Sequence, residues 1–208
     1  LTYGGTLRSF CVPAPEGSRD IVLGCDDAPA YERQTACLGG VPGRHANRIA
    51  RGRFVLNGKT YQLAINNGEN HLHGGPTGFH RRLWRAAVGE NSLTFTRLSC
   101  DGEEGYPGNL LVSVRYTFDD ECRLGIHYQA LCDQDTVINL TNHSYFNLDG
   151  EDSGSVEGQH LQIFADSFAE NDAGCLPTGR IVSLDSEEGA PFDFREPTEI
   201  GKRLHEEN

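Results

Sequence analysis

The 208-residue sequence carries 30 Asp and Glu against 18 Lys and Arg, which gives a formal charge of −12 at pH 7. This charge would repel phosphate-rich partners and argues against nucleic acid and anionic membranes as ligands. The composition favours a neutral small molecule, and the length allows one large domain with a substantial core.

The first predicted element is a β-hairpin over residues 53–65. Apolar and polar side chains alternate on both sides of Asn57-Gly58, as they do in strands with one buried face. The Asn-Gly pair supplies the positive φ angles of a tight two-residue turn. The segment therefore predicts two short antiparallel strands.

A second hairpin is predicted further along the chain. Residues 112–118 and residues 124–130 each alternate at period two, and the acidic residues 119–121 lie between them. Two long amphipathic strands with this spacing should pair with each other.

The remaining elements are shorter. Residues 136–140 and 161–164 predict two further strands, and residues 196–206 have weak helical spacing, enough for one or two turns. The 25 glycines and 9 prolines supply the turns. No repeat or low-complexity linker divides the sequence. We expect an all-β protein, with a single antiparallel sandwich or barrel domain over residues 1–208.

The apolar segments, the first ten residues and the cysteines predict the cellular location. It has no apolar run of about 20 residues, and residues 1–10 lack the pattern of an export signal. Seven cysteines without a C-x-x-C pair are typical of reduced thiols rather than of a disulfide framework. We therefore expect a cytoplasmic protein. Because the chain begins without Met and ends on a polar run, we expect it to be incomplete at both ends.

Two polar clusters beside predicted turns hold the candidate binding residues. The first joins residues 43–50 to residues 66–75 across the first hairpin, and the second is residues 141–148. Asn47 and Arg48 in the first cluster offer several hydrogen-bond donors, and Asn adds an acceptor, which suits a ligand rich in hydroxyl groups. A surface turn with a salt bridge is the alternative for such a pair.

His71 and His73 raise the question of a metal. Residues two apart share one face of a regular strand, so these imidazoles could bind a metal ion together. A metal site needs further ligands, and none follows with a recognisable spacing. We therefore predict neither a metal nor another cofactor.

His143 is the candidate general acid. It follows an apolar segment and is flanked by Asn142, Ser144 and Tyr145. Imidazoles titrate near neutral pH, so a histidine can hold a proton at pH 7 and deliver it to a developing oxyanion. A structural histidine with satisfied hydrogen bonds is the alternative.

Taken together, these residues resemble the aldose 1-epimerase family, also called galactose mutarotases. Residues 43–79 and residues 141–148 are similar to two signatures of that family, and residues 191–195 resemble a later, less specific stretch. The similarity covers nearly the whole chain, from the Tyr3-Gly4-Gly5 region onward. It implies a large antiparallel β-sandwich, the galactose mutarotase-like supersandwich, with a sugar site on its sheet faces.

The resemblance also implies a role for each matching residue. His143 would be the general acid, and His73 would contact the sugar near its ring oxygen as the second catalytic residue. Four residues would bind or neighbour the substrate: Asn47, Arg48, Ser144 and Tyr145. The implied activity interconverts the α and β anomers of a hexose such as galactose or glucose, without cofactor or metal. The implied partner is this small-molecule aldose, and no pattern indicates an oligomeric state.

One departure from the family leaves alternatives open. The family's general base is a Glu near its C-terminus, preceded by a substrate-binding Asp, and this sequence ends before either. The resemblance therefore implies that the C-terminal part of the family domain is missing and that catalysis needs residues beyond these 208. A non-catalytic carbohydrate-binding module is one alternative. A sugar-phosphate epimerase is another, and it would need a cationic cluster, for which Arg81, Arg82 and Arg85 are candidates unless they form a solvated strand edge.

Overall fold

The computed structural model describes residues 1–204, which are mostly strands and turns. The chain divides into two compact units, one formed by Leu1–Phe146 and one that begins at Asn147. The first unit contains β1 (Cys11–Ala14), β2 (Gly17–Asp20), β3 (Arg48–Ile49), β4 (Arg53–Leu56), β5 (Lys59–Gln62), β6 (His71–Leu72), β7 (Arg85–Gly89), β8 (Ser92–Ser99), β9 (Leu110–Phe118) and β10 (Leu124–Cys132). The second contains β11 (His160–Leu161), β12 (Ser167–Asn171), β13 (Pro177–Ser183) and β14 (Thr198–Glu199).

Two short helices accompany the strands, α1 (Ala28–Arg33) in the first unit and α2 (Ile200–Leu204) in the second. The Asp27 side chain caps α1 by accepting a hydrogen bond from the backbone of Ala30. Helix α1 was not predicted from the sequence, although an Asp at the N-cap followed by Pro29 is a typical start signal. The helical spacing of residues 196–206 is confirmed for one turn, and its last two residues lie outside the described part. Neither helix of residues 1–204 has the length and apolarity to cross a bilayer.

Both predicted hairpins are confirmed. Strands β4 and β5 pair around Asn57 and Gly58, whose φ angles are 51° and 75°. The rings of Phe54 and Tyr61 stack across the pair at 5.0 Å between centroids. Strands β9 and β10 pair in register from Leu110–Cys132 to Phe118–Leu124. Period-two alternation therefore located these four strands correctly.

A four-stranded antiparallel sheet in the order β10-β9-β8-β7 contributes most of the first unit's core. Alternate side chains of β9 are buried, including Leu110, Val112 and Val114, each at most 1% exposed. Phe95 of β8 and Trp84 pack in the same cluster. Fully burying one aliphatic side chain, such as those of β9, stabilises the fold by about 1.5–3 kcal/mol.

A much shorter strand pair carries the candidate site. Strands β3 and β6 pair Arg48 with Leu72 and Ile49 with His71. Next to the Arg48–Leu72 pair, the backbone N–H of His73 donates to the carbonyl of Asn47 at 3.2 Å, and the pairing ends there. This pair brings the two halves of the first polar cluster together.

Two predicted strands were wrong in whole or in part. Residues 136–140 form only an isolated parallel bridge, between Asn139 and His45. The backbone groups of Asn139 bond to Arg44 and Ala46 in an irregular loop, so no strand ladder can continue. Of residues 161–164, only Leu161 belongs to a strand, and Phe164 is 90% exposed.

Candidate active site

Arg44 anchors the loop that leads into the site. Its guanidinium is 1% exposed and makes six hydrogen bonds. Five of the acceptors lie on residues 99–108: the hydroxyl of Ser99 and the carbonyls of Ser99, Cys100, Pro107 and Gly108. A buried charge is tolerated when its donors are satisfied in this way. Arg44 thereby fixes the backbone that precedes Asn47.

Asn47 connects the two halves of the site. Its φ angle is 66°, a left-handed conformation that Asn adopts more readily than most residues. Its backbone N–H donates to Nδ1 of His73 at 3.0 Å, and its side-chain oxygen accepts from the backbone N–H of Arg48 at 2.9 Å. The loop therefore orients both the imidazole and the neighbouring guanidinium.

His73 is held as a neutral hydrogen-bond donor. Burial lowers the pKa of its imidazole to about 4, and the neighbouring side chains of His143 and Arg48 act in the same direction. Because Nδ1 accepts a hydrogen bond from Asn47, the neutral ring carries its proton on Nε2. The imidazole can therefore donate from Nε2 to an oxygen atom.

Gly74 allows the turn at His73 to pack closely against Gly43. It follows His73 with a φ of 81°, and a Cβ atom there would lie 1.7 Å from the carbonyl oxygen of Gly43. Any side chain at this position would push the His73 turn away from residues 43–47. Packing therefore requires glycine at position 74.

His143 reaches the same place from another part of the chain. Its backbone pairs with Gly39 and Gly40, through bonds of 3.1 and 2.9 Å. The side chain of Asn142 donates to the Gly39 carbonyl at 2.9 Å and supports the same turn. The rings of His73 and His143 consequently lie 5.2 Å apart, centroid to centroid, and perpendicular to each other.

Ser144 and Tyr145 flank His143. The ring of Tyr145 lies 5.1 Å from that of His143, and its hydroxyl donates to the Ala36 carbonyl at 3.1 Å. The Ser144 hydroxyl oxygen is buried and has no hydrogen-bond partner among residues 1–204. Unpaired buried hydroxyl groups call for an explanation, and a bound polar ligand is one.

A cavity of about 420 Å³ lies beside His73. Its wall includes the amides of Asn66 and Asn67, and Asn67 accepts a hydrogen bond at 3.0 Å from Nε of Arg48. The volume falls within the range usual for small-molecule sites. The structure thus brings all six predicted site residues into one region with a cavity next to it.

The premise that His71 and His73 share a face was wrong. His73 has a left-handed φ of 54° and so leaves the strand geometry. His71 is fully buried, with Nδ1 against the Ala64 carbonyl at 2.7 Å and Nε2 against the Tyr106 hydroxyl at 2.8 Å. In the part of the chain that the structure describes, no three His, Cys, Asp or Glu side chains are placed to hold a metal ion.

The three arginines considered as a cationic cluster are separated. Arg81 lines the cavity beside His73. Arg82 lies near the carboxylates of Glu103 and Glu104, at 3.5 and 3.8 Å. Arg85 is exposed on β7 and does not line the cavity. Only Arg81 can therefore act on a ligand there.

The sequence patterns indicate no role for Arg44, Asn142 or His80. His80 is 8% exposed and lines the same cavity. Arg44 and Asn142 act through contacts with residues distant in the sequence, as in the 103-residue separation between Asn142 and Gly39. No local pattern marks such contacts in advance.

The fold and the site define an all-β protein whose polar site is built around two imidazoles with amide and guanidinium groups. A family model described as aldose 1-epimerase matches residues 1–208, and the chain belongs to the aldose 1-epimerase family. The resemblance inferred from the signatures is confirmed.

Named relatives agree with this assignment. The chain is 46% identical over 207 residues to a galactose mutarotase from Bos taurus, covering 99% of this chain and 59% of that protein. It is 42% identical over 197 residues to an aldose 1-epimerase from Escherichia coli, covering 94% of this chain and 56% of the relative. The chain thus spans less than two thirds of the length of these relatives.

Solved structures confirm the predicted fold class. A GalM/aldose epimerase homologue from C. elegans matches with a TM-score of 0.90 and 36% identity, covering 99% of this chain and 62% of that one. Galactose 1-epimerase from Lactobacillus acidophilus matches with a TM-score of 0.86 and 31% identity, over 100% of this chain and 60% of the other.

Proposed function

We propose that this chain forms the sugar-binding and acid-catalytic part of an aldose 1-epimerase. The enzyme would interconvert the α and β anomers of a hexose such as galactose or glucose, and both compact units would belong to one family domain. The observation that carries the proposal is the pairing of the His73 and His143 rings at 5.2 Å beside a polar cavity. The names of the bovine and bacterial relatives support the substrate class.

Two proton transfers open the ring in the proposed reaction. A carboxylate removes the proton of the anomeric hydroxyl, and His143 delivers a proton to the ring oxygen. The bond between C1 and the ring oxygen breaks, and C1 becomes an aldehyde. Rotation about the C1–C2 bond presents the other carbonyl face, and the reverse transfers reclose the ring. No electrons pass to or from the sugar, so the proposed chemistry uses no redox carrier.

His73 is proposed to support this transfer as a hydrogen-bond donor. Its Nε2–H is free to point at the substrate, because Nδ1 is occupied by the Asn47 backbone. A donor already oriented at an oxygen that gains negative charge stabilises the transition state without reorganisation. His73 and His143 would therefore act on the same ring oxygen.

The remaining predicted residues are proposed to bind hydroxyl groups. Arg48 is oriented by Asn47 and Asn67, which leaves part of its planar guanidinium to donate to the sugar. Ser144 offers a hydroxyl that lacks a partner within residues 1–204. Tyr145 offers an aromatic face beside His143. A cytoplasmic location is also proposed, and the seven free cysteines support it.

The rate at which the full-length protein interconverts the anomers of D-galactose tests this function. Polarimetry should show acceleration by the wild-type protein and a fall on the order of 10²–10⁴-fold for His143→Asn, because the general acid is lost. His127→Asn changes an exposed histidine of β10 and should leave the rate unchanged. A wild-type protein that does not accelerate the reaction, or a His143→Asn variant of full activity, would contradict the proposal.

A further inference from the structure

The cavity beside His73 has a second polar wall that the proposed reaction does not use. It is formed by His80 and Arg81, on the 3₁₀ turn Phe79–Arg81, together with Cys37. None of the residues that line the cavity, all within 1–204, is acidic. The Arg81 guanidinium gives this wall a positive charge within a chain of net charge −12, and a positive charge in a cleft attracts anions.

The Arg81 guanidinium is available to a ligand. Its one side-chain hydrogen bond within residues 1–204 runs from an Nη atom to the Gln34 carbonyl and is 3.4 Å long. Arg82, the next residue, is by contrast engaged with Thr77 and Glu103. Arginine presents planar donor pairs that match carboxylate and phosphate oxygens.

His80 supplies a second group to this wall. It is 8% exposed, and its Nδ1 atom has no hydrogen-bond partner in the described residues. The Arg81 guanidinium beside it is positively charged, and none of the described residues that line the cavity offers it a carboxylate. An imidazole in this setting gains most from a negatively charged neighbour.

The bonding of an aldopyranose relates the wall formed by His80 and Arg81 to the C6 group of the substrate. The ring oxygen is bonded to C5, and C5 carries the C6 group. If His73 contacts the ring oxygen, C6 lies two bonds away from the contacted atom. The cavity that begins at His73 is therefore close enough to receive a C6 substituent.

We propose that His80 and Arg81 form a subsite for a negatively charged C6 group, so that the aldoses recognised include uronic acids and hexose 6-phosphates. This inference rests on the proposed function, because it places the sugar by its contact with His73. Carboxylate and phosphate share the same recognition chemistry, two or more anionic oxygens facing a guanidinium.

Substrate selectivity of the full-length protein tests the subsite. The value of kcat/KM for anomer interconversion is measured by NMR exchange with D-glucose, D-glucuronate and D-glucose 6-phosphate. Arg81→Gln should lower the ratio of an anionic sugar's value to the glucose value about tenfold or more, since a charge-assisted contact is lost. Arg81→Lys, which keeps the charge, should restore part of the ratio. Arg85→Gln, on exposed β7, should leave it unchanged.

The outcomes separate this inference from the proposed function. Selectivity that depends on Arg81 for glucuronate alone, for glucose 6-phosphate alone or for both supports the subsite and identifies the anionic group. Turnover of glucose without turnover of either anion, or an Arg81→Gln ratio equal to that of the wild type, overturns the subsite and leaves the proposed function standing. Failure to turn over glucose as well overturns both.

Discussion

The four-stranded sheet β7–β10 and the loops that carry the candidate site are stabilised by different interactions. The sheet buries apolar side chains such as Val112 and Val114 on one face. The site loops instead depend on buried polar groups, above all Arg44, and on left-handed residues such as Asn47 and His73. The stability of a sheet that buries a large apolar surface is distributed over many contacts, whereas the site loops depend on a few specific side chains.

This difference can be measured by removing one key side chain from each region of the full-length protein. Arg44→Met keeps the chain length but leaves several buried oxygens unpaired, which should lower the free energy of unfolding by about 4 kcal/mol. Leu110→Ala in β9 leaves a cavity and should cost about 3 kcal/mol. Urea unfolding gives both values.

The two variants should differ in function more than in stability. At a temperature where both remain folded, Arg44→Met should raise KM for galactose, because the loop before Asn47 is no longer anchored. Leu110→Ala should leave KM unchanged. Equal KM values for the two variants would show that Arg44 does not position the site. They would contradict the proposed difference between the site loops and the sheet.

The pH dependence of stability gives a smaller effect that belongs to the site loops alone. Burial lowers the pKa of His80 to about 4 from 6.5, so between these values the unfolded chain binds more protons than the folded one. The His80 contribution to the free energy of unfolding should therefore fall by about 2 kcal/mol between pH 7 and pH 5, in addition to a similar contribution from His73. Stability from this group is fully present above pH 6.5.

His80→Asn is the variant that isolates this contribution. Its free energy of unfolding should vary less over the same pH range, by about 2 kcal/mol, whatever its absolute stability. His127→Asn, which removes an exposed histidine of β10, should keep the wild-type dependence. A His80→Asn protein with the wild-type pH dependence would show that His80 is not buried in the neutral form.

The same contrast explains what the sequence could predict. Strands with one buried face alternate at period two, so both hairpins were located from the pattern of apolar residues. Residues 136–140 are as apolar as a strand, but Asn139 bonds to the loop at Arg44 and Ala46. The local pattern of apolar residues does not show which distant residues will be the partners in backbone hydrogen bonds.

Candidate site residues were identified by their side-chain chemistry and by their similarity to family signatures, and not by geometry. Strand periodicity placed His71 and His73 on one face, and the left-handed backbone of His73 separates them. The approach of His143 to His73 depends on contacts with Gly39 and Gly40, about a hundred residues earlier. Such long-range contacts become visible only in the folded structure.

If His73 and His143 act on one oxygen atom of the sugar, substitutions of the two residues cannot have independent effects. The most direct measurement compares D-galactose anomer interconversion by the full-length protein with His73→Gln, His143→Asn and both changes together. We expect the double variant to lose about as much activity as the worse single variant. Losses that multiply would show that the two imidazoles work separately, and would contradict the joint site.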